Sequence, residues 1–245
     1  MKFFPLPWTV KLWTAGDMII LAVDTATTSC SVAIIDKKFV LAEVTLLREE
    51  THSKHLMDMI HAAIGFSGLK LSDLDGFAVV RGPGSFTGMR IGITTVKGLA
   101  AGLKKPLVGI SSLEALAMQV SNWPYLICPL LDARRGEVYV SRYRLIAGHL
   151  KEEMEEQVCA PENAIRDINE ACIFVGNGTL LYQNMLSDMM GDSAFFAPMP
   201  QNTIKASTVA YLSLNKFQNK DTEDIDRFIP HYIRKSDAEQ NLVNT

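Results

Sequence analysis

Residues Arg81 to Gly92, RGPGSFTGMRIG, place four glycines in twelve positions and run straight into a helical pattern. Glycine inside a helix costs about 0.8–1 kcal/mol relative to alanine, so bare backbone here must serve a purpose. A strand leading through Gly82, Gly84 and Ser85 to Thr87 presents backbone N–H groups and the positive end of a helix dipole, an arrangement that receives anions. The spacing is not that of a P-loop. Upstream, LAVDTATTSC sets Asp24 at a strand end, followed by hydroxyls beginning with Thr25. An acid there steers a metal or a water while the hydroxyls hold phosphate. The same residue types also simply bond the backbone of their own turn. Arg90 falls in the first helical turn, where the dipole disfavours a cation by roughly 0.3–1 kcal/mol. It needs an anionic partner, either a carboxylate such as Asp24 or a bound phosphate.

Glycines continue past the loop at helical spacing: Gly88 and Gly92, then Gly98 and Gly102, with Ala100 and Ala101 beside them. Gly92, Gly98 and Gly102 lie too far along the helix to touch an anion. Small residues four apart let a neighbouring helix approach closely. That neighbour is either the run 56–64 of this chain or a helix of another subunit. Both helices look apolar around more than one narrow stripe, which suggests burial on two sides and an intersubunit bundle.

Other constellations are weaker. His52 and His55 share one face at a spacing of three, without the H-E-x-x-H pattern or an evident third ligand. Asp132 to Gly136, DARRG, suits a hairpin turn whose two adjacent cations would meet an anion in a cleft. No Ser–His–Asp or Cys–His set stands out, so a peptidase finds no support.

The elements that carry these residues follow a repeated plan. Three β-rich runs from Met18 are followed by a helix at 53–66, a strand at 77–80, the glycine loop, a helix to about 103 and a strand at 106–110. Ser111 and Glu114 form a capping box for the next helix. From 123 the plan recurs: a strand, the DARRG turn, a return strand, a third strand near 150–159, and a short helix opened by Pro161. Strand 172–175 then enters Gly176-Asn177-Gly178, and a helix at 206–217 and the tail FIPHYIR close the pattern. Asp24 answers to Asp132, and Gly82-Pro83-Gly84 to Gly176-Asn177-Gly178. Two ribonuclease-H-like α/β halves, 18–122 and a reduced 123–245, are therefore expected to face each other across a cleft as in the actin-like group. Residues 1–17 read as an extension outside this fold.

Composition narrows the class. Hydrophobic content of 48% with 21% charged residues is that of a globular protein, and a net charge of −3 argues against an autonomous nucleic-acid binder. The four cysteines, at 30, 128, 159 and 172, are too scattered for zinc or a disulfide frame and read as reduced, cytoplasmic thiols. No apolar run reaches the ~18 residues of a membrane span.

Taken together, ILAVDTATTSCSVAI, HSKHL, GPGSFTGMRIG with KGLA, SSLEALA, LLDARRGEVY, VGNG and HYIR resemble the TsaB (YeaZ) family, over the chain from Met18 to the tail. That family supplies the small partner subunit of the bacterial machinery that makes N6-threonylcarbamoyladenosine in tRNA. The resemblance implies an actin-like pseudo-enzyme that binds the catalytic paralogue TsaD, in a complex where the ATPase TsaE assists turnover. It implies that the first two helices form the partner surface, and also the surface for self-association. Carried over, that surface is Leu56, Met59, Ile60 and Ala63 with Met89, Gly92, Ile93 and Val96. Asp24, Thr25, Gly82, Gly84, Ser85, Thr87 and Arg90 would then keep the shape of a phosphate site with weak nucleotide binding at most and no required cofactor or metal. Transfer RNA would be held mainly by other subunits. The competing expectation is a small-molecule kinase or ATPase on the same fold.

Overall fold

The computed structural model describes residues 18–47 and 52–234; the extension read at 1–17 lies outside them. The first half opens with an antiparallel meander, β1 (Ile20–Asp24), β2 (Ser29–Ile35) and β3 (Val40–Leu47). It continues through α1 (Leu56–Ser67), β4 (Gly76–Gly82), α2 (Phe86–Leu103), β5 (Leu107–Ser111) and α3 (Ser112–Gln119). The second half comprises β6 (Leu126–Arg134), β7 (Glu137–Ile146), β8 (His149–Cys159), α4 (Pro161–Ile165), β9 (Cys172–Val175), α5 (Asn177–Met190), β10 (Ala194–Phe196) and α6 (Ala206–Gln218). The sheets run β3-β2-β1-β4-β5 and β8-β7-β6-β9-β10, so the second repeats the first strand for strand. The repeat expected from sequence is present, with β10 as the strand it missed. This is the two-lobed actin-like topology. No described helix is long and apolar enough to cross a membrane.

Local chemistry accounts for the element ends. Ser85 caps α2 by accepting the Gly88 N–H, and Ser111 caps α3 by accepting those of Leu113 and Glu114. Gly68 closes α1 in the left-handed conformation, at φ 69°. Strands β1, β2 and β5 are buried throughout, as continuous apolar runs covered on both faces must be, whereas β3 alternates as an edge strand does. The crossovers β3–α1–β4 and β4–α2–β5 step in one direction, so right-handedness places α1 and α2 on one face of the first sheet. Helix α1 lies on β2 and β3, and α2 on β4, β1 and β5.

The third helix of each half crosses to the other. Helix α3 packs on β6 and β7 of the second sheet, and α6 spans β1, β2, β4 and β5 of the first. Phe217 of α6 sits so close over Gly76 that a Cβ there would come within 2.7 Å of the ring. Helix α6 (Ala206–Gln218) follows the second half in sequence but covers the first sheet. This corrects the division at 123: the chain returns because the outer face of the first sheet is apolar and needs a cover. One core consequently runs through both halves, joining Ile20, Phe77 and Ile110 to Ile127, Leu131 and Val175.

The turn between β1 and β2 is the tightest junction. Thr25 Oγ1 donates to the Gly88 carbonyl at 2.8 Å, and Ser85 N–H donates to the Ala26 carbonyl at 2.7 Å. A Cβ on Gly88 would overlap the Thr25 carbonyl, and one on Gly92 would overlap Thr25 Oγ1. A ring nitrogen of His52 lies 2.8 Å from the Thr27 carbonyl and ties the entry to α1 onto the same turn. Asp24, directly before it, is wholly buried. Its Oδ1 accepts the Ala26 N–H, and its Oδ2 has no partner among the described residues. Burial pushes this carboxyl up to about 7, and burial together with Asp24 pushes the Cys30 thiol up to about 12.

Two outcomes follow for stability. Gly92→Ala should destabilise the chain by about 1–3 kcal/mol by overpacking although it favours the helix, and adding Thr25→Ala should recover part of the loss. Denaturant titrations of the cycle test this; additive losses would contradict the contact. Asp24 binds its proton more tightly folded than unfolded, so its contribution is full below pH ~4 and is lost as pH rises through about 7. The rise from 3.8 corresponds to on the order of 4 kcal/mol. The drop in unfolding free energy between pH 4 and pH 8 should therefore shrink by ~2–4 kcal/mol in Asp24→Asn, whereas an unchanged drop would show the carboxyl to be solvated.

Candidate functional site

Between the lobes lies a cleft of about 540 Å³. Thr27, Thr28, Gly84, Ser85 and Phe86 line it from the first half, and Asp132, Arg134, Asn177, Leu180 and Leu181 from the second. The hairpin expected at 132–136 is present, with Arg134 and Arg135 both in the left-handed region at φ 64° and 55°. The two loop residues are Arg135-Gly136, where Asn-Gly is favoured, so Arg135 carries backbone strain, as does Arg134 at the strand end before it. Arg134 lies 3.8 Å from the Asp132 carboxylate.

Of the residues expected to hold phosphate, Gly84 and Ser85 line this cleft while Asp24 and Thr25 are buried beneath it, and the two loops hold one another. Ser85 N–H is taken by Ala26, Gly88 N–H by Ser85 Oγ, and the Thr25 hydroxyl by Gly88. A Cβ on Gly84 would overlap the Ala26 carbonyl. The two loops touch directly instead of standing apart around an anion, and Asp24 is sealed beneath them. Gly82 at φ 119° has the His231 carbonyl against it, and Thr87 is exposed on α2. These side chains do not fit a phosphate held between turn and loop.

Arg90 departs from expectation. Helix α2 starts at Phe86, so Arg90 is its fifth residue and lies beyond the strongest part of the dipole. Its partner is not Asp24, which is buried. The guanidinium stacks on the Phe86 ring one turn earlier, 3.8 Å from its centroid, and Nε donates to the Tyr232 hydroxyl at 3.0 Å. Tyr232 in turn stacks on Phe86 with ring centroids 4.7 Å apart.

Tyr232 belongs to a C-terminal strap whose role no local pattern revealed. Lys97 of α2 donates to the Phe228 carbonyl at 2.8 Å, His231 N–H donates to the Arg81 carbonyl at 2.7 Å, and Arg234 donates to the Ala133 carbonyl at 2.8 Å. The strap thus runs along α2 and ends on the second lobe, where Arg234 also pairs with Glu137 at 3.1 Å. Its aromatic and basic residues were the available signal. A second group outside the sequence reading lies between the lobes. Burial pushes the Glu114 and Glu156 carboxyls up, opposed by Lys216 and Arg81 at Glu114 and by the Ser111 hydroxyl and Arg81 at Glu156. The capping box expected at 111–114 is thus only half formed: Ser111 caps α3, while the Glu114 carboxyl belongs to this buried group.

The expected partner surface requires a correction. Leu56, Met59, Ile60, Ala63, Met89, Gly92, Ile93 and Val96 are all buried in the chain's own core, because this is the stripe that α1 and α2 lay on the first sheet. The opposite stripes face outward. On α2 these are Thr87, Arg90, Thr94, Gly98, Ala101 and Gly102, with Ile91 half-buried; on α1 they are Met57, His61, Gly65 and Phe66. The helix glycines divide accordingly. Gly88 and Gly92 admit Thr25, whereas a Cβ at Gly65, Gly98 or Gly102 would meet nothing.

Comparison with known proteins agrees with this architecture. A family model described as "TsaD: tRNA N6-adenosine threonylcarbamoyltransferase" matches residues 40–242. The "tRNA threonylcarbamoyladenosine biosynthesis protein TsaB" of Bacillus subtilis (strain 168) is 31% identical over 93% of this chain and 99% of its own length. The protein of the same name from Haemophilus influenzae is 33% identical over 85% and 93%. Among solved structures, YeaZ from Pseudomonas aeruginosa is 27% identical and superposes with a TM-score of 0.75 over 88% of this chain and 99% of that one. The ethanolamine utilization protein EutJ from Carboxydothermus hydrogenoformans, 11% identical with a TM-score of 0.51 over 82% and 92%, bears on the fold alone. With two curated relatives above 30% identity along nearly their whole length and a YeaZ structure sharing its fold, the chain belongs to the TsaB (YeaZ) family.

Proposed function

We propose that this chain is a non-catalytic subunit in tRNA threonylcarbamoyladenosine biosynthesis, which docks on a TsaD-type transferase through the outer faces of α1 and α2. One observation carries the reading. Gly98, inside α2, costs the helix about 1 kcal/mol, and Gly102 follows in its last turn, yet nothing in the chain's own packing asks for either. Together with Thr94 and Ala101 they leave a shallow track along α2 on which a foreign helix can lie. Phe66, 77% exposed, and Met57, 53% exposed, offer apolar area on the neighbouring helix. A residue pattern that weakens the isolated chain is explained when a second backbone uses the space.

The rest of the reading follows from this surface. The same face serves self-association when the transferase is absent, and a TsaE-type ATPase joins the assembled complex. With a net charge of −3 the chain leaves tRNA mainly to its partners, in the cytoplasm. It requires no cofactor, since its phosphate-type loops are bonded to each other. The cleft of about 540 Å³ favours the alternative of a kinase or ATPase. ATP turnover by the isolated chain would support that alternative.

Substitution at Gly98 separates the helix's own stability from docking. Gly98→Gln should raise the stability of the isolated chain by roughly 0.5–1 kcal/mol, because the side chain enters open space and favours the helix. It should also abolish capture of the TsaD-type subunit, measured by calorimetry with purified proteins. Wild-type affinity in this variant would contradict the assigned face.

A further inference from the structure

We propose that Arg90 is the charged anchor of this docking face and receives a carboxylate of the partner subunit; this rests on the docking reading above. Most exposed arginines are loosely held. Here the guanidinium is fixed on one side by the Phe86 ring at 3.8 Å and on its Nε edge by the Tyr232 hydroxyl at 3.0 Å. With Nε engaged, the terminal nitrogens are left without a partner among the described residues, and the residue is exposed. A planar fork held in place and offered to solvent matches a carboxylate in two-point geometry, and its rotamer entropy is already spent.

Placement identifies the source of the anion. Arg90 lies on the outward stripe of α2, one turn from Thr94 and two from Gly98, the positions that leave room for a helix. An oxyanion arriving over that track is presented by a protein side chain, hence an aspartate or glutamate and not a phosphodiester. The strap is thereby part of the interface. Tyr232 orients Arg90, and Lys97, two turns further along α2, holds the strap through the Phe228 carbonyl.

The test is calorimetric titration of the purified, RNA-free TsaD-type subunit into wild type, Arg90→Gln, Arg90→Lys, Tyr232→Phe and, as a marker of the apolar face, Phe66→Asp. Thermal melts confirm that each variant folds. Arg90→Gln should weaken binding by about 30-fold or more and flatten its salt dependence, as expected for loss of a charge pair covered by the interface. Arg90→Lys should recover only part of the loss, since an ammonium lacks the fork. Tyr232→Phe should cost a few-fold. If Phe66→Asp abolishes binding while Arg90→Gln stays within twofold of wild type, the anchor is wrong and the docking face stands. If Phe66→Asp is harmless and Arg90→Gln is not, the apolar face is misplaced. No binding by wild type, or no effect of either variant, removes both. Unchanged subunit affinity with reduced tRNA retention by the complex would identify the anion as phosphate and overturn the carboxylate.

Discussion

The missing side chains of Gly88 and Gly92 allow α2 to lie directly on the β1–β2 turn, and most of the molecule follows from that contact. Thr25 fills the space, its hydroxyl bonded to the Gly88 carbonyl at 2.8 Å. Ser85 and His52 bond the same turn, which sets the starting points of both α2 and α1. With its inner stripe committed in this way, each helix has a defined outer stripe. The contact also brings the phosphate-type loops together and seals Asp24 beneath them without a counter-charge. A buried carboxyl with an unpaired oxygen is costly when charged, so burial holds its proton up to about pH 7.

The exchange of third helices makes the two halves one body. Helix α3 reaches the second sheet and α6 covers the first, so a single apolar core passes between the lobes. The strap adds a polar seam on the cleft side, from Lys97 through Arg81 to Ala133. A molecule joined along both seams presents its outer helices as a fixed platform, which suits docking better than a hinged cleft would. Rigid partners lose less entropy on association.

Much of this was legible in the sequence because local chemistry dictates it. Buried strands such as ILAVD and LVGIS read as apolar runs, Ser111 as a cap, and DARRG as a turn. The duplicated strand order followed from the repeated plan. The sense of the helix faces did not. The resemblance points to these two helices but not to one face of them, and the most apolar residues are the ones each helix must lay on its own sheet, which leaves the smaller, less apolar stripe outside. Gly92 and Gly98 look alike in sequence, and only the position of Thr25 distinguishes them. Arg90 and Tyr232 are far apart in the chain, as are Phe217 and Gly76, and such pairings are set by topology alone.

Methionines on the two faces of α1 and α2 provide the most direct measurement. Met57 points outward, whereas Met59 and Met89 are buried at 5% and 2% exposure. Thioethers oxidise readily where solvent reaches them. Hydroxyl-radical footprinting of the chain alone, diluted until it is monomeric, should modify Met57 and Phe66 and spare Met59 and Met89. In complex with the TsaD-type subunit, Met57 and Phe66 should become protected as well. Equal labelling of Met57 and Phe66 in both states, or labelling of Met59 and Met89 in the free chain, would contradict the assignment of inner and outer faces.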